Sequence, residues 1–384
     1  MGNWTTVSGC PPNGSFDRSR AAQGLLDGFW YRLVEGQRHH ATLISTLGKR
    51  AMRFNLLGGT GLRVPELSLG LGTLVGTDQI DTKVGVAIEA GVCLFDTADI
   101  YSEGKSEELL GRALVGKREK VLLSTKATYR TGTGVNDLGS SRRHLITACE
   151  GSLRRLRTEW IDLYQLHAPD LLTRPEETMR VMDDLVRSGK VRYIGCSNYS
   201  GWQVMRAQAA AASLRLQPFA FQQVLYSLLQ RDSEFELFPV GKDQHMGAMV
   251  WGPLAAGFLS GKYQQGIPRP DGSRLANMPY PECVPNWEHG WRILEVVQQI
   301  AARRGVPPGQ VAVNWLLRKP WVSTVILGTR TVTQLEENLG TVDWQLTVEE
   351  AALLDEVSNP VLRYPYWVHV MVAERNPPLS GFRE

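Results

Sequence analysis

The sequence lacks the segments that would place the chain in a membrane or direct it out of the cell. In its 384 residues, no apolar run approaches the roughly 20 residues that a membrane-spanning helix needs. The N-terminus has no basic patch followed by a short apolar stretch, which is the pattern of a secretory signal. These absences argue against the membrane and secreted classes and predict a cytoplasmic protein with no membrane partner.

Cysteine is scarce, and no cysteine is placed for a disulfide framework or a metal site. The sequence has five cysteines, an odd number, and they are widely scattered. None belongs to a C-x-x-C pair, and no Cys/His spacing matches that of a zinc site. The sequence therefore predicts reduced thiols and no bound metal.

Net charge is nearly absent. The chain has 42 Lys and Arg against 39 Asp and Glu, a formal net charge of +3. Residues 1–51 contain six basic and three acidic residues, so the rest of the chain contains 36 of each sign. A neutral body offers no electrostatic attraction to nucleic acid, so nucleic acid is not an expected partner.

Residues 1–51 differ in character from the rest of the chain. They carry turn-forming residues without apolar periodicity, and Gly28 interrupts the one stretch, residues 25–34, that could be helical. We expect this segment to be a poorly ordered N-terminal extension. The expected division is therefore an extension at 1–51, a folded body at 52–358 and a C-terminal tail at 359–384.

From Met52 onward, short runs rich in Val, Ile and Leu alternate with longer amphipathic stretches. Buried parallel strands separated by helices have this pattern, and eight such units over about 250 residues are typical of a (β/α)8 TIM barrel, an α/β fold. A Gly-rich turn at residues 58–61 predicts an N-terminal hairpin that plugs the barrel floor. The expected strand-then-helix pairs are 67–71 with 81–90, 92–96 with 106–114, 121–126 with 142–156, 161–167 with 175–188, 192–196 with 202–212, 219–224 with 233–241, 248–251 with 291–304, and 322–327 with 333–339.

The competing fold is a doubly wound dinucleotide-binding sheet. That fold usually has a G-x-G-x-x-G fingerprint after its first strand. The nearest candidate here is Gly70, Gly72 and Gly76, whose spacing is one residue too long. The barrel is therefore the favoured interpretation.

Polar side chains follow several predicted strands, where the active site of such a barrel lies. They are Asp96, Lys126, His167 and the pair Ser197–Asn198, and Tyr101 follows Asp96 by five residues. A buried Lys126 needs a counter-charge, which Asp96 could supply. An ammonium beside the Tyr101 hydroxyl would favour proton donation to a carbonyl oxygen, which His167 could orient. Each residue alone has an ordinary structural explanation, but together they predict a catalytic site.

The motifs around these residues resemble the aldo-keto reductase superfamily, from Met52 to about Asp355. They read F-D-T-A-D-I-Y-S-E-G-K-S-E-E-L-L-G, L-H-A-P-D, G-K-V-R-Y-I-G-C-S-N-Y, G-P-L-A-A-G-F-L-S-G-K-Y and G-T-R-T-V-T-Q-L-E-E-N-L. The resemblance implies a catalytic tetrad of Asp96, Tyr101, Lys126 and His167, with Tyr101 as the general acid in reduction.

The same resemblance implies that a nicotinamide dinucleotide lies across the barrel mouth. Arg330, just before a helix, would add donors to the free amides there and so favours NADP(H) over NAD, although it could also merely cap the turn. Gly252 stands where many relatives have a serine, so one cofactor hydrogen bond is expected to be missing. The implied cofactor-binding residues are Gly72, Thr73 and Asp96 near the ribose; Ser197, Asn198 and Gln223 at the carboxamide; Trp251 stacked on the nicotinamide ring; Gly252, Pro253, Leu254, Ala255, Gly257 and Leu259 at the pyrophosphate; Lys262 and Arg274 at phosphate; and Gly328, Arg330, Gln334, Glu337 and Asn338 at the adenosine end.

Two functions follow from these observations. The first is hydride transfer between NADPH and an aldehyde or ketone, or the reverse oxidation of an alcohol, with specificity set by the variable segments at 127–140, 264–290 and beyond Pro360. The second is an NADP-binding regulatory subunit, because Trp251, the S-G-K-Y string and the Q-L-E-E-N ending resemble potassium channel beta subunits. The sequence leaves the substrate, the direction and the oligomeric state open.

Overall fold

The computed structural model describes residues 52–72, 79–277 and 283–372. The expectations for residues 1–51 and for Thr73 fall outside these ranges. The described chain begins with a short antiparallel hairpin, in which β1 (Phe54–Leu56) pairs with β2 (Arg63–Pro65).

The hairpin closes one end of the barrel. Leu57 and Val64 are fully buried and contact inward-facing side chains of the barrel strands, among them Leu94 and Phe221. A β-carbon on Gly58, which has a φ of +59°, would lie 2.4 Å from the backbone nitrogen of Gly247. Since Gly247 begins a strand, this is the floor of the barrel, where the sequence predicted the hairpin to lie.

Eight parallel strands follow and form a closed barrel in which chain neighbours pair. The last strand closes the barrel on the first, with Val325 opposite Leu67. The fold is therefore the predicted (β/α)8 TIM barrel. Its strands are β3 (Leu67–Gly70), β4 (Leu94–Asp96), β5 (Leu122–Ala127), β6 (Ile161–Leu166), β7 (Val191–Ser197), β8 (Phe221–Leu225), β9 (Gly247–Trp251) and β10 (Val322–Gly328).

Amphipathic helices surround the strands. On the fourth helix, for example, Met179, Met182 and Leu185 are buried at helical spacing, so one face packs on the barrel. The helices are α1 (Ile80–Glu89), α2 (Lys105–Ala113), α3 (Arg142–Leu156), α4 (Pro175–Arg187), α5 (Gly201–Leu214), α6 (Leu237–Asp243), α7 (Arg274–Asn277), α8 (Trp287–Arg304), α9 (Pro308–Leu317), α10 (Val332–Leu339), α11 (Val348–Val357) and α12 (Tyr366–Met371), with short 3-10 segments at Arg118–Lys120, Asp232–Glu234, Ala255–Ser260 and Gly340–Asp343.

The structure corrects two helix predictions. The helix predicted at 291–304 begins earlier, at Trp287, and a second helix, α9, follows it because Gly305 ends α8 and Pro308 provides a new helix start. The helix predicted at 233–241 is a 3-10 turn followed by α6, since Glu236, with φ −131°, departs from helical geometry.

The segment predicted as a tail contains a helix. On α12, the Tyr366 ring stacks on Phe235 with centroids 4.8 Å apart, and its hydroxyl donates to Glu236 at 2.8 Å. Of the helices in the described residues, none has both the length and the apolar character needed to cross a membrane.

Candidate active site

The predicted site residues lie at one end of the barrel. Asp96 ends β4, Lys126 lies near the end of β5, and His167 directly follows β6. Ser197 and Trp251 end β7 and β9. Because carboxyl ends of parallel barrel strands meet at one mouth, these side chains surround a common opening.

Lys126 and Asp96 form a buried ion pair at the centre of this mouth. Lys126 is fully buried, and its Nζ lies 2.6 Å from Asp96 Oδ2 and 2.8 Å from the Thr97 carbonyl oxygen. Burial opposes the charged form, but the attraction of Asp96 and Tyr101 outweighs it and raises the pKa of Lys126. Lys126 is therefore an ammonium throughout the physiological pH range.

The second oxygen of Asp96 is held by three donors. Asp96 Oδ1 accepts from Ser124 Oγ at 2.7 Å, from Gln165 Nε2 at 3.2 Å and from Gln223 Nε2 at 3.1 Å. Sequence reasoning missed Ser124 and Gln165, which lie inside apolar strand runs. Gln223, expected at a cofactor carboxamide, donates one amide N–H to Asp96, which leaves its second N–H and its carbonyl oxygen for other partners.

Tyr101 lies beside the ammonium. Its hydroxyl oxygen is 3.5 Å from Lys126 Nζ, and that nitrogen lies 5.0 Å from the centroid of the tyrosine ring. A β-carbon at position 72 would come within 3.2 Å of Tyr101 Cε2. Gly72, predicted at the cofactor ribose, therefore leaves the space that the phenol ring occupies.

His167 is neutral in the folded protein. Burial and the nearby Lys126 charge lower its pKa from 6.5 to about 2. Its Nδ1 is buried without a hydrogen-bond partner among the described residues, and its ring lies edge-on to Tyr101 and to Tyr129, at centroid distances of 5.6 and 4.7 Å. Asn198 Nδ2 donates to the His167 carbonyl oxygen at 2.8 Å. Three aromatic rings thus border the space above the ion pair.

A second cluster of buried charged residues is formed by Asp99 and Glu107, with Arg155 as their nearby cation. The Asp99 carboxylate is buried, and neither oxygen has a hydrogen-bond partner within the described part of the chain. Burial and the Glu107 carboxylate raise the pKa of Asp99 to about 7, against the opposing charges of Arg155 and Lys126. Glu107 itself is held by Arg155 Nε at 2.7 Å and by Thr125 Oγ1 at 2.5 Å. Sequence reasoning did not single out Asp99.

At the inner end of the predicted cofactor route, two buried polar atoms lack partners among the described residues. They are Ser197 Oγ and Trp251 Nε1. Asn198, which directly follows Ser197 and was predicted to contact the carboxamide, has a φ of +59° and is exposed. Such orphaned atoms are costly unless a ligand or water satisfies them.

The loop after β9 is shaped by left-handed residues. Gly252, Ala256 and Gly257 have φ values of +69°, +56° and +89°. A β-carbon on Gly257 would lie 3.0 Å from Lys262 Nζ, so the ammonium lies directly over this loop. The other predicted positions here are placed as follows: Pro253, Ala255 and Leu259 are buried, Leu254 is half-buried, and Arg274 is half-buried at the start of α7, which packs against this turn.

The loop after β10 brings Arg330 to the segment before α7. Its guanidinium donates to the Gly272 carbonyl oxygen, and its backbone N–H donates to Gln334 Oε1 at 2.9 Å. Thr331 caps α10 through its side chain. The remaining predicted residues are exposed Gly328, Gln334 and Glu337, with half-buried Asn338.

Comparison with known proteins agrees with the fold and the motifs. A family model described as the aldo/keto reductase family matches residues 66–359. A putative voltage-gated potassium channel subunit beta of Schizosaccharomyces pombe is 34% identical over 326 residues, covering 80% of this chain and 93% of the relative. An uncharacterized oxidoreductase of Bacillus subtilis, YrpG, is 36% identical over 326 residues, covering 80% and 96%. The resemblance drawn from the motifs is confirmed, and the chain belongs to the aldo/keto reductase family.

Proposed function

We propose that this chain is an NADP(H)-dependent oxidoreductase that interconverts an aldehyde or ketone and its alcohol, with Tyr101 as the general acid in reduction. Family membership supports an oxidoreductase. The observation that carries the finer proposal is the chain of contacts from Asp96 through Lys126 to the Tyr101 hydroxyl, at 2.6 and 3.5 Å.

The residues along the predicted cofactor route fit a nicotinamide dinucleotide. Buried Ser197 Oγ at one end and buried Thr329 Oγ1 at the other have no partners among the described residues. Lys262 and Arg330 supply positive charge near the outer end, where phosphate groups would lie. When bound, the dinucleotide supplies the hydride donor or acceptor.

In reduction, Tyr101 gives its hydroxyl proton to the carbonyl oxygen as negative charge develops there. The Lys126 ammonium stabilises the phenolate that remains, and Asp96 keeps that ammonium charged in a buried place. In oxidation the same phenolate takes the proton back.

His167 orients the carbonyl group. Because its pKa is lowered to about 2, it has no proton to transfer at neutral pH. A neutral imidazole can still donate one N–H to the carbonyl oxygen. The exposed Tyr129 ring, 4.7 Å from His167, gives the substrate side of the mouth an aromatic wall that suits ring-containing carbonyls.

Loss of NADPH absorbance with a panel of aldehydes, ketones, quinones and sugar-derived carbonyls tests this proposal. Turnover of at least one class, with NADPH preferred over NADH, is the expected result. The relative described as a potassium channel subunit favours a second candidate, an NADP-binding regulatory subunit. Quenching of tryptophan fluorescence by NADPH without turnover of any panel member would support that candidate instead. The cytoplasmic location stays a prediction.

A further inference from the structure

A lysine occupies a core position on the first helix of the barrel. On α1 the buried positions are Ile80, Lys83, Val84 and Ala87, the spacing of one apolar face. Lys83 is fully buried and is among the largest such side chains. An apolar residue would fill this position without the cost of burying an ammonium group, so the charge itself needs an explanation.

The Lys83 ammonium reaches the loop after β10. Its Nζ donates to the Arg330 carbonyl oxygen at 2.5 Å. β3 and β10 pair with Gly70 opposite Gly328, so the carboxyl ends of the two strands lie side by side. Lys83 therefore fixes the main chain from which the Arg330 side chain extends.

The ammonium lacks a counter-charge in the described part of the chain. It forms no ion pair there with a carboxylate, and its one described acceptor is a neutral carbonyl, although an ammonium has three donors. Burial accordingly lowers the pKa of Lys83. The neighbouring Thr329 Oγ1 is also buried without a partner among the described residues. A cation and a hydroxyl, both without an anion among the described residues, thus lie beside the Arg330 main chain.

We propose that Lys83 and Arg330 form one anion site for the 2′-phosphate of the dinucleotide, in which Lys83 holds the Arg330 main chain and supplies the second, buried cation. This inference rests on the proposed function, since it assumes that a phosphorylated dinucleotide occupies the mouth. It makes Lys83 a positioning and specificity-determining residue that acts without contacting the reacting atoms.

Calorimetric titration of the full chain with four ligands tests the proposal: NADPH, NADH, adenosine 2′,5′-bisphosphate and adenosine 5′-monophosphate. Lys83→Met should weaken the binding of NADPH and of the bisphosphate about 10- to 100-fold, the range for charge-assisted hydrogen bonds. The affinities for NADH and the monophosphate should stay within about twofold of the wild-type values. Lys83→Gln, which keeps a donor but removes the charge, should lose the same selectivity. In an Arg330→Ala background the Lys83→Met effect should shrink, because the two residues act as one site.

Lys319→Met is the matched control. Lys319 is a half-buried lysine whose pKa burial also lowers, but it pairs with Asp355 at 2.6 Å. Its loss should lower stability without changing nucleotide preference. Three results would overturn the inference while the proposed function stands. Lys83→Met could weaken the binding of NADPH and NADH equally, or it could bind NADPH as tightly as the wild type does. Lys83→Gln could keep the wild-type preference for NADPH over NADH. If the wild-type chain binds neither NADPH nor the bisphosphate, the proposed function fails, and the inference fails with it.

Discussion

The ring of His167 stands edge-on to the ring of Tyr101, with 5.6 Å between centroids and 81° between planes. Both rings face the same space, but only one of them has a proton to give. His167 is neutral because burial and the Lys126 charge lower its pKa to about 2. Tyr101 has a hydroxyl and a neighbouring ammonium at 3.5 Å. In the proposed reaction, His167 therefore orients the carbonyl group and Tyr101 transfers the proton.

Tyr101→Phe should reduce kcat by about 10²- to 10⁴-fold, the usual contribution of a positioned general acid, and leave the NADPH dissociation constant nearly unchanged. Steady-state assays and fluorescence titration measure the two quantities. Tyr129→Phe is the control, since Tyr129 keeps its ring against His167 and is assigned no proton. Near-wild-type turnover by Tyr101→Phe would disprove the assignment.

His167 should make the folded protein less stable as the pH falls below 6.5. The unfolded chain binds a proton at His167 near pH 6.5, whereas the folded chain does so only near pH 2. The unfolding free energy should therefore fall by about 1.4 kcal/mol per pH unit across that window, relative to His167→Gln. Urea denaturation of both proteins from pH 7 to pH 5 measures this difference. A difference between wild type and His167→Gln that stays flat from pH 7 to pH 5 would contradict the expectation.

Asp99 should make the folded protein less stable as the pH rises, the opposite of the effect of His167. The unfolded chain loses its Asp99 proton near pH 3.8, whereas the folded chain keeps it up to about pH 7. The wild type should therefore lose about 1.4 kcal/mol of stability per unit as the pH rises through this window, relative to Asp99→Asn. The variant should be the more stable protein at pH 8. Thermal or urea unfolding from pH 5 to 8 measures this, with Asp271→Asn on an exposed loop as the control.

Gly72→Ala should impair chemistry more than folding. The added methyl group would lie 3.2 and 3.3 Å from two carbons of the Tyr101 ring, so the ring must shift by a few tenths of an ångström. A small displacement of a reacting group can cost up to about 100-fold in rate. We expect kcat to fall about tenfold with little change in melting temperature. Gly61→Ala, where nothing lies within 4 Å, should leave both unchanged.

The sequence predicts the barrel well because its signal is repetitive. Apolar runs separated by amphipathic stretches recur eight times, and strand-end residues such as Asp96 and Lys126 then fall at one mouth by topology alone. The predicted end of α8 at residue 304 is right, but its start at Trp287 and the helix that follows it, α9, are missed because local capping residues, not periodicity, decide them.

Other parts of the site carry no such signal. Ser124 and Gln165 lie inside apolar runs, and their role depends on which carboxylate oxygen faces them across the barrel. In the sequence, Lys83 looks like an ordinary solvated lysine on a helix. Only the folded barrel brings the Arg330 carbonyl oxygen, which follows the last strand, to the Lys83 ammonium. These contacts join residues distant along the chain, and a periodic pattern does not encode them.

The closure of the barrel also constrains how the protein is made. Ser68 of the first barrel strand donates to the carbonyl oxygen of Val325 in the last, 257 residues away. During synthesis, one edge of β3 therefore stays unpaired until β10, near the end of the folded body, has been made. An open strand edge is a template for wrong pairing with other chains. Nascent chains that stop short of β10 should therefore need protection from aggregation, and completing that strand should remove the need.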